Sequence, residues 1–457
     1  MINSVYHSEP RNRKRASLHT LGCRLNQYET KLIRDKLELA GYDIVPFDQE
    51  SDLGIINTCT VTNFADSKSR AEIRKFIRRN PEARTVVVGC YSQMGYKEIA
   101  RIPGVDVIIG NQDKLNVLNY LPEEKAETPI IVRDRINRDD FTISHVGDLP
   151  FTQRANLKVQ DGCDFACSFC IIPQARGRAR SRDFRNVINE AQALVERGAG
   201  ELVITGVNIG TFNNSGVKIL GLVDALNDIQ GLNRIRISSI EPTTIPTELF
   251  DRMRDPEHAL LPFLHIPLQS GSESVLQHMK RRYHLDEYVE FIHLANDSVP
   301  DICIGTDILV GYPTESLENF QETCNTFLKN PFTYCHVFTF SERAGTRAAR
   351  IPAESQVPME ERHRRSAHLR RLSAKRRHDY AQRYVGKAMR VLFENPREGI
   401  WPGYTDNYIR VVAQDYRDLT NKTALVTINS VEADFVEGDV IEILEPTVSM
   451  REMAINT

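Results

Sequence analysis

Cys163, Cys167 and Cys170 stand at a CxxxCxxC spacing inside Val159-Gln160-Asp161-Gly162-Cys163-Asp164-Phe165-Ala166-Cys167-Ser168-Phe169-Cys170, with an aromatic just before the third cysteine. Three thiolates this close can hold three corners of a cubane iron–sulfur cluster. No fourth cysteine stands nearby. One iron is then left open, which a catalytic cluster needs and a structural one does not. Zinc is the rival metal, but structural zinc sites take four ligands in paired knuckles, and no second CxxC or HxxxH follows. Cys23, Cys59 and Cys90 form a second set, far apart in sequence, each directly after a stretch that reads as a strand. A single cysteine in such a place reads as a small buried apolar residue. Three in equivalent places read as a second three-cysteine site.

The elements that must position these residues follow from hydrophobic pattern. Residues 16–22, 42–45, 53–58, 85–89 and 105–109 read as strands, and residues 26–40 and 66–79 as helices. Strands alternating with helices imply a parallel sheet covered on both faces, with its site beyond the C-terminal strand ends. That rule puts Cys23, Cys59 and Cys90 on one edge. Residues 121–153, with mixed charges, two prolines and a weak strand at 130–133, read as a connection. A second series of strands follows at 155–159, 201–205, 234–238, 263–268, 302–310 and 334–340. Helices fall between them at 186–197, 221–229, 247–254, 271–281, 285–295 and 317–329. Six βα units fit a partial parallel barrel whose chemistry sits at the C-terminal strand ends, the cluster loop being one of them. Cys303, Cys324 and Cys335 fall inside these elements and read as core, and His265 as a hydrogen-bonded barrel residue. The Asp307–Gly311 segment ends a strand without GxGxxG spacing and is no phosphate fingerprint.

Residues 362–384 read as a long helix with Leu369, Leu372 and Tyr380 on a sparse apolar face. Its density of arginine without matching acids favours contact with a phosphate backbone over a solvated connector. Alternating patterns at 388–394, 408–412, 423–428 and 439–444 then suggest a small closed β-barrel, an architecture that often holds RNA. Trp401, Tyr404 and Tyr408 could stack on bases or plug that barrel. The fold class is thus α/β: an N-terminal Rossmann-like domain, a central partial (βα)6 barrel and a C-terminal small β-barrel. The expected domains are a tail at 1–15, the first domain at 16–125, a linker at 126–152, the partial barrel with its basic helix at 153–383, and the small barrel at 384–449.

Composition agrees with a soluble chain of several domains: 457 residues, 41% hydrophobic, 26% charged, with a formal net charge of −3. No apolar run reaches membrane-spanning length. Residues 1–15 are polar and basic without the apolar core of a secretory signal. Nine cysteines, an odd number without dense spacing, argue for a reducing compartment rather than a disulfide scaffold. A cytoplasmic protein without a membrane partner is expected.

The cysteine words carry a resemblance. CxxxCxxC with Phe169 resembles the signature of the radical S-adenosylmethionine superfamily. Gln160-Asp161-Gly162-Cys163 before it and Ile171-Ile172-Pro173-Gln174-Ala175-Arg176-Gly177-Arg178 after it resemble the methylthiotransferases. Thr20-Leu21-Gly22-Cys23-Arg24-Leu25-Asn26-Gln27-Tyr28-Glu29-Thr30, Asn57-Thr58-Cys59-Thr60-Val61-Thr62 and Val88-Gly89-Cys90-Tyr91-Ser92-Gln93 are similar to that family's N-terminal cysteine words. The tail resembles a TRAM domain, the family's RNA-binding module. Gly403-Tyr404-Thr405-Asp406-Asn407-Tyr408, with the first cysteine word, is most similar to the branch that modifies N6-threonylcarbamoyladenosine; Arg24-Leu25 departs from that branch's usual lysine and smaller aliphatic, leaving the ligands untouched.

The resemblance implies two [4Fe-4S] clusters. Cys163, Cys167 and Cys170 would hold the one whose open iron takes S-adenosylmethionine, and Cys23, Cys59 and Cys90 an auxiliary one. Asn26, Asn57 and Gln93 would be donors to sulfur or merely turn and cap residues. Phe169, Thr205, Gly206, Asn208, Ser239, Glu241, Gln269, Ser270 and Asp307, with Gly311, would line the S-adenosylmethionine site. The implied activity is methylthiolation at carbon 2 of N6-threonylcarbamoyladenosine at tRNA position 37, through a 5′-deoxyadenosyl radical. The implied partners are the tRNA anticodon stem-loop, an electron donor such as flavodoxin or ferredoxin, and a sulfur donor. Isopentenyladenosine in tRNA or a ribosomal-protein aspartate stay open as substrates. From another class, a non-catalytic iron–sulfur RNA-binding sensor stays open.

Overall fold

A computed structural model describes residues 13–144 and 154–444, and the chain forms two compact units. Residues 1–12 of the tail expected at 1–15, the end of the linker expected at 126–152 (from residue 145), and the last residues of the small barrel lie outside the described residues.

The first unit comprises the described residues through Asn137, Ser144 and the segment Gln174–Gly177. Its strands are β1 (Arg15–Thr20), β2 (Asp43–Val45), β3 (Leu53–Thr58), β4 (Arg84–Gly89), β5 (Val107–Ile109) and β6 (Ile130–Val132). They form one parallel sheet in the order β2-β1-β3-β4-β5-β6. Ile55, Ile56, Val86, Val87, Val88, Val107, Ile108 and Ile109 are fully buried on both faces, as a covered parallel sheet requires. The helices are α1 (Arg24–Leu39), α2 (Asn63–Arg79) and the short α3 (Cys90–Met94) and α4 (Tyr96–Ala100). The α2 helix starts three residues before the sequence pattern suggests, because the Thr62 hydroxyl caps it by accepting from Ala65 N at 3.0 Å. The strand read as part of a linker pairs with β5 and completes this sheet.

The second unit comprises Arg138–Ile143 and the described residues from β7 (Arg154–Lys158) onward, apart from Gln174–Gly177. The hairpin strands β8 (Gln160–Asp161) and β9 (Arg180–Ser181) flank the cluster loop and the short α5 (Ile172–Arg176), whose last three residues are counted with the first unit. Then come α6 (Phe184–Glu196), β10 (Glu201–Thr205), the small hairpin β11 (Asn213–Asn214) and β12 (Val217–Lys218), α7 (Ile219–Asn227) and β13 (Ile235–Ile237). They are followed by α8 (Leu249–Arg254), β14 (Phe263–His265), α9 (Glu273–His278), α10 (Leu285–Ser298), β15 (Cys303–Val310), α11 (Leu317–Lys329) and β16 (Tyr334–Thr339). The six strands of the series are parallel in two three-stranded halves, β13-β10-β7 and β14-β15-β16. Ile235 N donates to Ala259 O at 2.7 Å and Leu261 N to Ile235 O at 2.9 Å, joining the halves into a partial barrel. β14 stops at His265, before the Pro267 that cannot donate to a ladder.

The α12 helix (Met359–Gln382) runs back along β16. Arg362 Nη1 meets Phe340 O at 3.1 Å beyond that strand's C-terminal end, and the Ser373 hydroxyl meets Cys335 O at 2.9 Å near its start. The chain then closes a five-stranded barrel from β17 (Ala388–Phe393), β18 (Trp401–Thr405), β19 (Arg410–Ala413), β20 (Thr423–Val431) and β21 (Val436–Leu444). This barrel seats on the N-terminal strand ends of the partial barrel. Phe263, Cys303 and Tyr334, each the first residue of its strand, share a core with Tyr380, Tyr384, Val391, Phe393 and Val411. Beside it, the buried Glu201 carboxylate accepts from Arg154 Nε (3.3 Å), Arg234 Nε (3.0 Å) and Arg236 Nε (2.7 Å). Arg234 also pairs with Asp406, and Arg236 reaches Asp406 O at 3.1 Å.

Two readings left open or coarse in the sequence become specific here. Trp401 is 8% exposed and donates to Asp415 O, so it plugs the barrel. Tyr404 and Tyr408 stack on each other at 5.1 Å under the Arg154 guanidinium, and Arg236 lies over Tyr408. These rings seat the barrel. On α12 the buried face includes Arg362, Arg365, Leu369, Ser373 and Tyr380, while Leu372 is half-buried. Arg362, Arg365 and Arg376 spend their donors on backbone carbonyls and carboxylates of their own unit, so only part of the helix's charge faces solvent.

Candidate functional site

In the first unit, Cys23 precedes α1, Cys59 follows β3 and Cys90 opens α3 directly after β4. With strand order 2-1-3-4-5, the order reverses between β1 and β3, where a doubly wound sheet leaves a crevice at its C-terminal edge. The three loops meet there. Gly22 has φ +97°, and a Cβ on it would stand 2.9 Å from Cys59 Sγ, so glycine is what lets the Cys23 turn close on Cys59. Burial, and then the nearness of Cys90 and Cys23, push the Cys59 thiol up to about 12.

Asn26, Asn57 and Gln93 hydrogen-bond the backbone around the cysteines. Asn26 Nδ2 donates to Leu21 O (2.7 Å) and Thr58 O (3.0 Å), tying the Cys23 loop to the Cys59 loop. Asn57 Nδ2 donates to Asn26 O, and Gln93 Oε1 accepts from Asn111 N, both at 3.0 Å. Asn111, which sequence reading missed, approaches sulfur: its Nδ2 lies 3.5 Å from Cys90 Sγ and 2.6 Å from Ala175 O. Beneath the cysteines Glu29 is fully buried, with Lys114 and Arg176 both on its carboxylate. Arg176 also donates to Asn26 Oδ1 at 2.7 Å, and Lys114 to Asn111 Oδ1 at 2.7 Å.

In the second unit the cluster loop leaves β7 at the open end of the partial barrel. Gln160 fixes its base: Oε1 accepts from Val207 N (2.8 Å) and Asn208 N (3.0 Å), while Nε2 donates to Gly162 O at 2.8 Å. The turn at Gly162 has φ +69°. The loop after α9 clamps the other side. Ser168 N donates to Met279 O (2.9 Å), and Arg282 Nη2 donates to Asp164 O (2.8 Å) with its guanidinium over Phe165. Arg281 Nη1 donates to Cys167 Sγ at 3.2 Å. The sequence pattern extends the helix to 281. It ends at His278, and Lys280 turns at φ +59°, which frees both arginines to reach the loop.

Burial and neighbouring Cys167 push the Cys163 thiol up to about 11 and Cys170 up to about 12; burial also raises Cys167. Thiols that raise one another's pKa are close neighbours, and a bound cation is what releases their protons. Among the described residues no three His, Cys, Asp or Glu side chains are arranged around one metal ion. A structural zinc site takes four ligands, whereas three cysteines can take three iron corners of a cubane. The donor set fits a cluster.

The expected S-adenosylmethionine residues fall into three groups. Gly206, Ser239, Glu241, Gln269 and Asp307 are half-buried at or near the C-terminal ends of β10, β13, β14 and β15. Asn208 is buried, its Oδ1 accepts from Thr244 Oγ1, and its Nδ2 has no partner. An orphan buried donor of this kind suits a ligand's carboxylate. The others are engaged elsewhere. The Thr205 hydroxyl bonds its own strand at Val203 O. Ser270 is turned into α11 and bonds Thr323. Phe169 packs against a cluster of Val275, Met279, Leu309, Tyr312 and Phe340. Glu241 pairs with Arg281; burial raises its carboxyl pKa and the arginine opposes this. Asp307 Oδ1 lies 2.9 Å from His265 Nε2. Cys303, Cys324 and Cys335 are buried in the core.

A three-cysteine loop at the open end of a partial parallel barrel is the arrangement of a radical S-adenosylmethionine enzyme, and residues 157–327 match the Radical SAM superfamily. Residues 15–110 match the Uncharacterized protein family UPF0004. The chain is 37% identical, over 95% of its length and 98% of the relative's, to the threonylcarbamoyladenosine tRNA methylthiotransferase MtaB of Bacillus subtilis (strain 168). It is 34% identical to the protein of the same name from Aquifex aeolicus (strain VF5), over 89% of this chain and 98% of the relative. The tRNA-2-methylthio-N(6)-dimethylallyladenosine synthase of Roseobacter denitrificans (strain ATCC 33942 / OCh 114) is 32% identical over 84% and 88%. The chain belongs to the methylthiotransferase family of radical S-adenosylmethionine enzymes, which use an iron–sulfur cluster and S-adenosylmethionine.

Proposed function

We propose that the protein adds a methylthio group to carbon 2 of N6-threonylcarbamoyladenosine at position 37 of tRNA, with the anticodon stem-loop as the part of the substrate it handles. The observation that carries this reading is the pair of three-thiol constellations, one at the sheet edge of the first unit and one at the barrel mouth of the second. The similarity to threonylcarbamoyladenosine tRNA methylthiotransferases, at 31–37% identity over most of the chain, favours this base over dimethylallyladenosine.

Cys163, Cys167 and Cys170 hold one [4Fe-4S] cluster, and Cys23, Cys59 and Cys90 a second. When bound, the clusters and S-adenosylmethionine supply a carbon-centred radical and a sulfur atom, chemistry that acid–base side chains cannot perform on an unactivated aromatic carbon. The chain positions these groups. Gln160 ties the cysteine loop to the Gly206–Asn208 turn, the Asn208 amide offers a donor to the carboxylate of S-adenosylmethionine, and Ser239 and Gln269, half-buried after β13 and β14, line its bed. Renewal of the chemistry needs a low-potential electron donor of flavodoxin or ferredoxin type and a sulfur donor.

The test is mass spectrometry of tRNA nucleosides from a strain lacking the gene, with and without the gene restored. The methylthio form of threonylcarbamoyladenosine disappears and returns. An unchanged nucleoside overturns the substrate and directs attention to isopentenyladenosine. In the purified protein, Cys163→Ala abolishes cleavage of S-adenosylmethionine, while Cys59→Ala keeps cleavage and stops thiolation. Absence of cleavage in the wild-type reconstituted protein would point to a sensor instead.

A further inference from the structure

The side chain of Arg281 is 3% exposed and every nitrogen of its fork has a partner. Nη1 donates to Cys167 Sγ at 3.2 Å and Nε to the Tyr283 hydroxyl at 3.1 Å. Nη2 pairs with the Glu241 carboxylate and lies 3.4 Å from Pro267 O. The phenol is itself anchored, donating to Leu268 O at 2.7 Å, and the guanidinium lies 5.0 Å from its ring centroid. A planar fork held at all three nitrogens presents one N–H to sulfur in a fixed direction, which a lysine cannot reproduce. Cys163 Sγ accepts from a backbone amide, Phe165 N at 3.3 Å. Cys167 Sγ accepts from a charged side chain in a buried site, where the interaction is least screened.

We infer that Arg281 is a positioning residue that sets the reduction potential of the cluster held by Cys163, Cys167 and Cys170, with Glu241 as its counterweight. Reduction adds negative charge to the cluster and its sulfurs. A cationic donor on one thiolate stabilises that charge and raises the potential, since hydrogen bonds to sulfur and local charge are the protein's means of tuning such clusters. Glu241 holds the fork in place and opposes its charge, so it acts through Arg281 rather than as a ligand to S-adenosylmethionine. The inference rests on the reading of these three cysteines as cluster ligands.

The experiment is a reductive titration followed by electron paramagnetic resonance. It uses reconstituted full-length protein carrying Cys23→Ala, Cys59→Ala and Cys90→Ala, so that the radical cluster alone reports, with iron content measured in parallel. Arg281→Met moves the midpoint to more negative potential, Glu241→Gln moves it to less negative potential, and Arg281→Lys falls between Arg281→Met and the parent. An unmoved midpoint in an iron-loaded Arg281→Met protein overturns the inference, as do shifts of the same sign in Arg281→Met and Glu241→Gln. If Arg281→Met loads no iron, Glu241→Gln and Arg281→Lys decide alone, and an unmoved midpoint in both overturns it. Replacing Cys163, Cys167 and Cys170 by alanine in the same background removes iron and signal. If it does not, the ligand reading fails instead.

Discussion

Glu29 carries two cations on one buried carboxylate, Lys114 and Arg176, the second 147 positions away in sequence. Neutralising the carboxylate withdraws the counter-charge from two buried cations, which costs about 3–5 kcal/mol. Glu29→Gln is therefore expected to lower the unfolding free energy of the first unit by that order and to reduce iron retention on Cys23, Cys59 and Cys90. Chemical denaturation with an iron assay checks both. The pairing also marks how far sequence reading reaches. The six cysteines announce themselves by type and spacing, because ligand chemistry restricts them to one residue. Arg281, Asn111 and Gln160 do not, because arginine, asparagine and glutamine serve many roles and act here through contacts distant in sequence. Even residues inside the quoted cysteine words were open to two readings. Asn26 and Asn57 bond backbone carbonyls, and nothing in their spacing separates that from a bond to sulfur.

At the scale of elements, the strands, the parallel sheet and the parallel barrel were legible, because alternation and run length report burial directly. Ends were not: Thr62 extends a helix, and Lys280 ends one before the pattern does. The docking of the small barrel was invisible as well, since Arg154, Arg234 and Arg236 look like ordinary strand-end charges until Glu201 meets them. Despite burial, the three guanidiniums hold the Glu201 carboxyl well below the usual glutamate range. A depressed folded pKa contributes stability that is fully present above the unfolded value of about 4.3 and lost as pH falls through the folded value. Glu201→Gln should thus destabilise the second unit at pH 7 and flatten the acid limb of its stability curve, read from melting between pH 3 and 7. The α12 helix divides its cations. Arg365 pairs with buried Glu315, whereas Arg371 and Lys375 are exposed. Arg371→Glu with Lys375→Glu is expected to weaken tRNA binding on the order of tenfold at low salt and to lower the log–log salt slope by about two. Arg365→Ala should instead lower stability and leave the slope unchanged. Filter binding at several salt concentrations separates the two.

At the scale of the second unit as a whole, the partial barrel and the small barrel share one core through Phe263, Cys303, Tyr334, Tyr380, Tyr384 and Val391. Such a core unfolds as one cooperative body. Calorimetry is expected to show no separate transition for the small barrel. A chain ending after Gly386 should expose these aromatic residues and precipitate rather than survive as a trimmed enzyme. Among the described residues no helix is long and apolar enough to cross a membrane.

The cluster loop leaves one end of the partial barrel and the β-barrel closes the other, with α12 running between them. The eight residues of β15 set that separation at about 25 Å, from a rise of roughly 3.3 Å per residue. A free nucleoside cannot touch both ends; a folded stem-loop can. The two ends of the unit can therefore be engaged together only by separate ligands or by separate parts of one large ligand.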